Sequence, residues 1–209
     1  MVYICKVKKS STYSKSEKTK QFIIEQVAPI FNKKGYAGTS LSDLTEATGL
    51  TKGSIYGNFK NKNEVAIEAF KYNLSLSTQT FFNAISNKSF SPIDKLLSFP
   101  QSYEKRYDSV IAMGGCPILN TASDTDDTHP QLKKLAQDAI LRIENALVSV
   151  LKEGIKQKQI KQDVDPNKIA GVMISLIEGG FMMAKLLDNK VYFNNSFKQV
   201  EEFINEIKQ

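Results

Sequence analysis

The stretch GTSLSDLTEATGLTKGSIYGNFKNK, residues 38–62, constrains the fold more than any other part of the chain. It holds two apolar patterns, each too short to stand alone, split by one glycine. Ser40 followed three residues later by Asp43 resembles a capping box, with Asp where Glu or Gln is usual. Leu41, Leu44, Thr45 and Thr48 then share one face over about two turns, and Gly49 stops the helix. Thr51 is placed to cap a second short helix holding Ser54, Ile55, Tyr56 and Phe59. Two short helices joined by a three-residue turn containing glycine make a helix-turn-helix unit. In this reading Ile55 and Phe59, four residues apart, pack inward against Leu41, Leu44 and Phe31. Lys52, Ser54, Tyr56 and Asn58 are left on the outer edge, the edge a recognition helix offers to a DNA groove.

The flanking sequence is helical in period. In KTKQFIIEQVAPIFNKKGY the residues Phe22, Ile23, Val27, Ile30 and Phe31 form a stripe that ends at Gly35 after two lysines. Lys62 opens a longer segment with Val65, Ala69, Tyr72, Leu76 and Phe81 on one face. Further helical segments follow between breaks at Pro92, Pro100, MGGCPILN, SDTDDTHP and QDVDPNK. One has Leu132, Leu135, Ala139, Ile143, Leu147 and Leu151 at near-heptad spacing, and another, PNKIAGVMISLIEGGFMMAKLLD, is apolar most of the way round. No strand alternation or Asn-Gly hairpin signal competes. The expectation is an all-α protein with an N-terminal three-helix helix-turn-helix domain and a larger C-terminal helical bundle. Residues 1–16 are read as a basic flexible tail, 17–61 as the DNA-binding domain and 62–209 as the larger helical domain, joined by the helix that begins near residue 62.

Composition narrows the partners. Of the net charge of +6, residues 1 to 70 hold +5, from 11 Lys and no Arg against six acids. A basic surface concentrated in the first third points to a polyanion, nucleic acid or anionic membrane. The apolar run near the N-terminus, Val2 to Cys5, falls short of the roughly 7–15 residues of a secretory leader. No stretch is read as reaching the roughly 18 apolar residues of a membrane span. A cytoplasmic protein without a membrane partner is therefore expected. Cys5 and Cys116 are too far apart and too unpatterned for a disulfide framework or zinc site, and His129, the single histidine, reads as a loop or capping residue. No metal, cofactor or catalytic constellation is expected. An enzyme built on the bundle, or a basic module binding a membrane surface or protein partner, are the competing readings.

At residues 17 to 70 the sequence resembles the DNA-binding domain of the TetR family of transcriptional regulators. Gly35-Tyr36, Thr39-Ser40, Gly49-Leu50, Lys52-Gly53, Tyr56, Phe59 and Lys62 fill the places of that family's motif. Two departures stand out: Thr45 where a small Ala is usual, and Gly57-Asn58 where a ring residue is common. The remainder resembles the family's variable regulatory domain in layout, so the resemblance implies that 62–209 is the effector-binding and dimerisation domain. The resemblance implies a homodimer, each subunit placing its third helix in successive major grooves. It also implies a ligand-released repressor on a palindromic operator.

The residues suit that chemistry. Lys52, Lys60 and Lys62 lie at helix ends, within reach of phosphates, and the start of the second helix at Thr39 and Ser40 offers backbone N–H groups. Tyr56 can give its hydroxyl to phosphate, Asn58 can read adenine and Ser54 either base type. Thr51 and Gly53 complete the candidate DNA-binding set. With no Arg in this region, the guanine contact falls to Lys52, so a lean toward A·T-rich sequence and DNA shape is expected. For an amphipathic or aromatic effector, the candidate pocket residues are Phe82, Phe99, Tyr103, Tyr107, Met113, Cys116, Asn120, Phe181 and Met182, with Glu178 as an effector anchor, a lysine partner or a solvent-facing group. For the subunit interface they are Ile169, Val172, Met173, Leu176, Phe197, Val200, Phe203 and Ile204 in the last two helices. The richness in Lys and Asn, with only Arg106 and Arg142, hints at an A·T-rich bacterial genome.

Overall fold

The capping signals and apolar stripes resolve into a chain of helices. The structure, a computed structural model, describes residues 14–125 and 127–209. Most of the expected basic tail, and Cys5, lie outside the described residues. In order the helices are α1 (Lys15–Gly38), α2 (Leu41–Thr48), α3 (Lys52–Tyr56), α4 (Lys62–Ile85), α5 (Pro92–Glu104), α6 (Tyr107–Ala112), α7 (Pro117–Thr125), α8 (Pro130–Lys156), α9 (Pro166–Leu186) and α10 (Val191–Glu206). Among the described residues the only β pairing is an isolated bridge between Ile160 and Lys208.

Helix α1 starts inside the segment read as tail, which corrects the boundary at residue 16. Ser14 caps it in a full capping box: the Ser14 hydroxyl accepts from the Glu17 amide, and the Glu17 carboxylate accepts from the Ser14 amide at 2.8 Å. The S-x-x-E pattern was legible in the sequence. The stripe also needs adjustment. Phe22 is 42% exposed, while Ile23, Ile24, Val27, Ala28 and Phe31 face inward. Gly35 breaks the helix at φ 71°, and the Asp124 carboxylate sits where a Cβ would project. Its left-handed backbone and the crowding both require glycine there.

That break is part of a strap between the N-terminal unit and the bundle. The Tyr36 amide donates to Asp124 Oδ2 at 2.6 Å, and the Tyr36 ring meets the His129 ring edge-on at 4.5 Å. His129 caps α8, its Nδ1 accepting from the Leu132 amide. One turn earlier, Asn32 Nδ2 donates to the Met113 and Gly115 carbonyls, and Asn120 donates to the Asn32 and Gly114 carbonyls. The long connecting helix α4 runs beside α1, and its buried Asn73 donates to the Ala28 carbonyl.

Helix α9 corrects the expectation about membrane length. It has 21 residues and an 18-residue window of mean hydropathy 1.6, enough by length and composition to cross a membrane. In the structure it packs against α8 and α10, with Ala170, Met173, Ile177, Phe181 and Ala184 turned into the subunit core.

Candidate nucleic-acid interface and regulatory cluster

In the turn of the helix-turn-helix, Gly49 closes α2 in the left-handed conformation (φ 66°), its amide bonding the Thr45 carbonyl. Thr51 then caps α3, its hydroxyl accepting from the Ser54 amide at 3.2 Å. Ile55 and Phe59 are buried, at 0% and 3% exposure, in the same core as Leu44 and Phe31. Because those two residues fix the rotation of α3, Thr51, Lys52, Gly53 and Ser54 are turned to solvent. Tyr56 is half-buried, its ring resting on the edge of the core. A methyl group added at Gly53 would meet nothing nearer than Thr51 Oγ1 at 3.9 Å, so no packing within the chain demands this glycine.

Four expected DNA contacts are engaged inside the subunit instead. Thr39 is 1% exposed and donates its hydroxyl to the Gly35 carbonyl at 2.6 Å. Ser40 caps α2, but its amide and hydroxyl both donate to the Asp43 carboxylate, at 2.7 and 2.8 Å. Lys34 adds a 2.5 Å bond to Asp43, and with the Ser40 amide it holds that carboxyl well below its ordinary range. The chain's own carboxylate therefore occupies the anion-favouring end of α2. Asn58 donates to the Ser54 carbonyl at 2.9 Å and accepts from Ser16 at 3.2 Å, leaving its amide engaged at both ends. Lys62 directs its ammonium over the Tyr36 ring, 4.5 Å from the centroid, toward the strap. Lys60 remains exposed. Ser16 escaped the sequence reading because the first turn of α1 was assigned to the tail.

In the bundle, four of the expected pocket residues do come together. Tyr103 meets Phe99 at 5.6 Å and Phe181 at 5.5 Å, and Tyr107 stacks on Phe181 at 6.2 Å. Phe193 meets Phe181 at 4.8 Å and Tyr107 at 4.5 Å, and Phe197 lies 3.8 Å from Phe193. Phe193 was missed, although Phe193, Phe197 and Val200 make an i, i+4, i+7 stripe that would have found it. Behind the rings, Cys116 is buried and donates its thiol to Glu178 Oε1 at 3.1 Å. Burial pushes the Cys116 thiol and the Tyr103 phenol up and raises the Glu178 carboxyl to about 7. Glu178 Oε2 is buried with no partner. Among the described residues no lysine pairs with Glu178, and its Oε2 is shut off from solvent.

The other candidate pocket residues are engaged differently. Met182 is 48% exposed on the outer face of α9. Asn120 and the Met113 carbonyl serve the strap to α1. Phe82 carries the Arg142 guanidinium 4.2 Å above its ring and joins the cluster through Phe81, which lies 5.0 Å from it and 5.1 Å from Phe99. The interface set also divides. Met173, Val200 and Ile204 are fully enclosed at 0%, and Phe197 belongs to the ring cluster. Ile169, Val172, Leu176 and Phe203 remain partly open. The apolar face continues instead through Met182, Leu187, Val191 and Tyr192 to Leu186, which is 73% exposed.

Comparison with known proteins agrees with this two-part arrangement. Residues 23–69 match the model for bacterial regulatory proteins of the tetR family, and residues 92–200 match the tetracyclin repressor-like C-terminal domain. A TetR-family transcriptional regulator from Cytophaga hutchinsonii is 44% identical, superposes with a TM-score of 0.87, and is covered over 95% of this chain and 98% of its own. A TetR regulator from Chloroflexus aurantiacus J-10-FL is 30% identical with a TM-score of 0.86, over 93% of this chain and 98% of its own. The HTH-type transcriptional repressor DhaR of Mycobacterium sp. (strain GP1) is 22% identical over 82% of this chain and 84% of its own. A helix-turn-helix held by its own core in front of a ring-filled helical bundle, matched in both parts by one set of proteins, makes this chain a member of the TetR family of transcriptional regulators.

Proposed function

We propose that this protein is a homodimeric repressor that binds a palindromic operator and releases it when an amphipathic or aromatic effector enters the C-terminal bundle. The observation that carries the DNA half is the outward edge of α3. Thr51, Lys52, Gly53 and Ser54 face solvent while Ile55 and Phe59 lock the opposite edge. Tyr56 and Lys60 flank that edge, and the DNA-binding unit extends from Ser14 to Asn61. Lys52 and Lys60 supply phosphate contacts, Ser54 faces base edges, and the open space over Gly53 admits the DNA backbone. Residues 62–209 form the effector-binding and dimerisation unit, its partner-facing surface running along the open side of α9 and α10 through Leu176, Met182 and Leu186. The function is regulatory rather than catalytic, and a protein that acts on the chromosome works in the cytoplasm. Effector and operator weaken each other's binding by the same factor.

Selection of duplexes from a random pool, followed by salt titration of the bound one, tests the reading. If a dimer neutralises about eight phosphates, its binding constant falls with a log–log slope of roughly −7. Lys52→Ala removes one phosphate contact per subunit and flattens that slope by about 2. Leu186→Asp yields monomers in sedimentation and loses operator binding. A pool that returns no preferred duplex, or a slope near zero, would overturn the DNA reading.

A further inference from the structure

We propose that Glu178 is the anchor for a protonated amine carried on an aromatic or apolar body, which makes organic cations the effector class. The inference rests on the regulatory reading above. Glu178 sits on α9 with Oε1 bonded to Cys116 and Oε2 buried without a partner. An enclosed, unpartnered acceptor is costly to a fold. A ligand N–H supplies what the chain does not. Cations approach this cluster and none is paired with Glu178: Lys185 donates to Gly114 O at 2.6 Å, Arg106 donates to Leu76 O, and Lys190 lies over the Tyr107 ring, 4.6 Å from its centroid. Among the described residues the carboxylate has no countercharge.

The surroundings suit the rest of such a molecule. Tyr103 lies within electrostatic reach of both Cys116 and Glu178, and Phe181 stands three residues along α9, packed edge-on against Tyr103 at 5.5 Å. Ring faces attract organic cations, and the cluster as a whole offers an apolar bed. An anionic ligand meets the carboxylate's own charge. Entry requires a ring of the cluster to move. The bordering element is α6, six residues long, with no side-chain cap at its N-terminus and the left-handed Gly114 and Gly115 just beyond its end. A helix so short and uncapped is held mainly by its packing.

Calorimetry of the full chain at pH 8 with three probes of one shape tests this: 2-naphthylmethylamine, 2-naphthylmethanol and 2-naphthoate. The amine should bind at least tenfold tighter than the alcohol, as a charge-assisted bond implies, and the naphthoate weakest. Glu178→Gln should bring amine and alcohol to within about threefold of each other. The wild-type comparison stands whether or not that variant folds. An alcohol or naphthoate that binds as tightly as the amine, a panel in which none binds, or a folded Glu178→Gln protein that keeps the preference, would each overturn the inference. Duplex binding by the wild-type protein without probe is read in parallel. If it persists while the amine preference is absent, this inference fails and the DNA reading stands.

Discussion

The polar groups of the N-terminal unit and those of the bundle behind it are held in opposite ways. In the N-terminal unit, polar side chains lie outside, close a helix end or, like Asn32, are buried with partners: Ser14, Ser40 and Thr51 cap, and Lys52 and Ser54 face solvent. In the bundle a carboxylate is enclosed beside a cluster of rings, with one oxygen unsatisfied. A surface that reads DNA gains by exposing its donors, since each is solvated until a phosphate or base replaces the water. A buried acceptor is held at a cost, and the packed rings around it must supply the stability that the carboxylate subtracts.

The largest effect expected from breaking this contrast lies in the rings. Phe193→Ala, at a residue of 0% exposure touching Tyr107, Phe181 and Phe197, should cost about 3–5 kcal/mol in chemical denaturation. A loss below about 1 kcal/mol would mean that the cluster is a loose lining rather than a core. The next effect belongs to Glu178. Between its ordinary value of 4.5 and its raised value of about 7, the folded protein keeps a proton that the unfolded chain releases. Stability therefore falls as pH rises through that window and stays low above it, by up to about 3 kcal/mol. Glu178→Gln should abolish that slope and be the more stable protein at pH 8, measured by thermal melts across pH 4 to 8. An unchanged slope would place the titration elsewhere.

The smallest effect sharpens the other side of the comparison. Gly53→Ala has open space for its methyl group and should raise stability by up to about 1 kcal/mol through helix propensity. The same methyl group should weaken duplex binding, read by fluorescence anisotropy, because it fills the space through which the DNA backbone approaches. Unchanged binding would remove Gly53 from the interface.

The sequence by itself determined the elements whose physics is local. Ser40 to Asp43, Gly49 and Thr51 set α2, the turn and α3 through caps and one left-handed glycine, and the four-residue spacing of Ile55 and Phe59 chose which edge of α3 faces out. Tertiary structure decided the rest. Asn58 looked free to read a base until α1 brought Ser16 across from 42 positions away. Lys62 looked like a phosphate contact until the strap set Tyr36 beneath it. Helix α9 is apolar on nearly every side, so its pattern held no information about which residues meet the subunit's own core and which a partner. Only the packing of α8 and α10 against it turned Met173 inward and Leu186 out. Caps and stripes depend on neighbours a turn away, whereas burial on an all-apolar helix depends on which distant helices arrive against it.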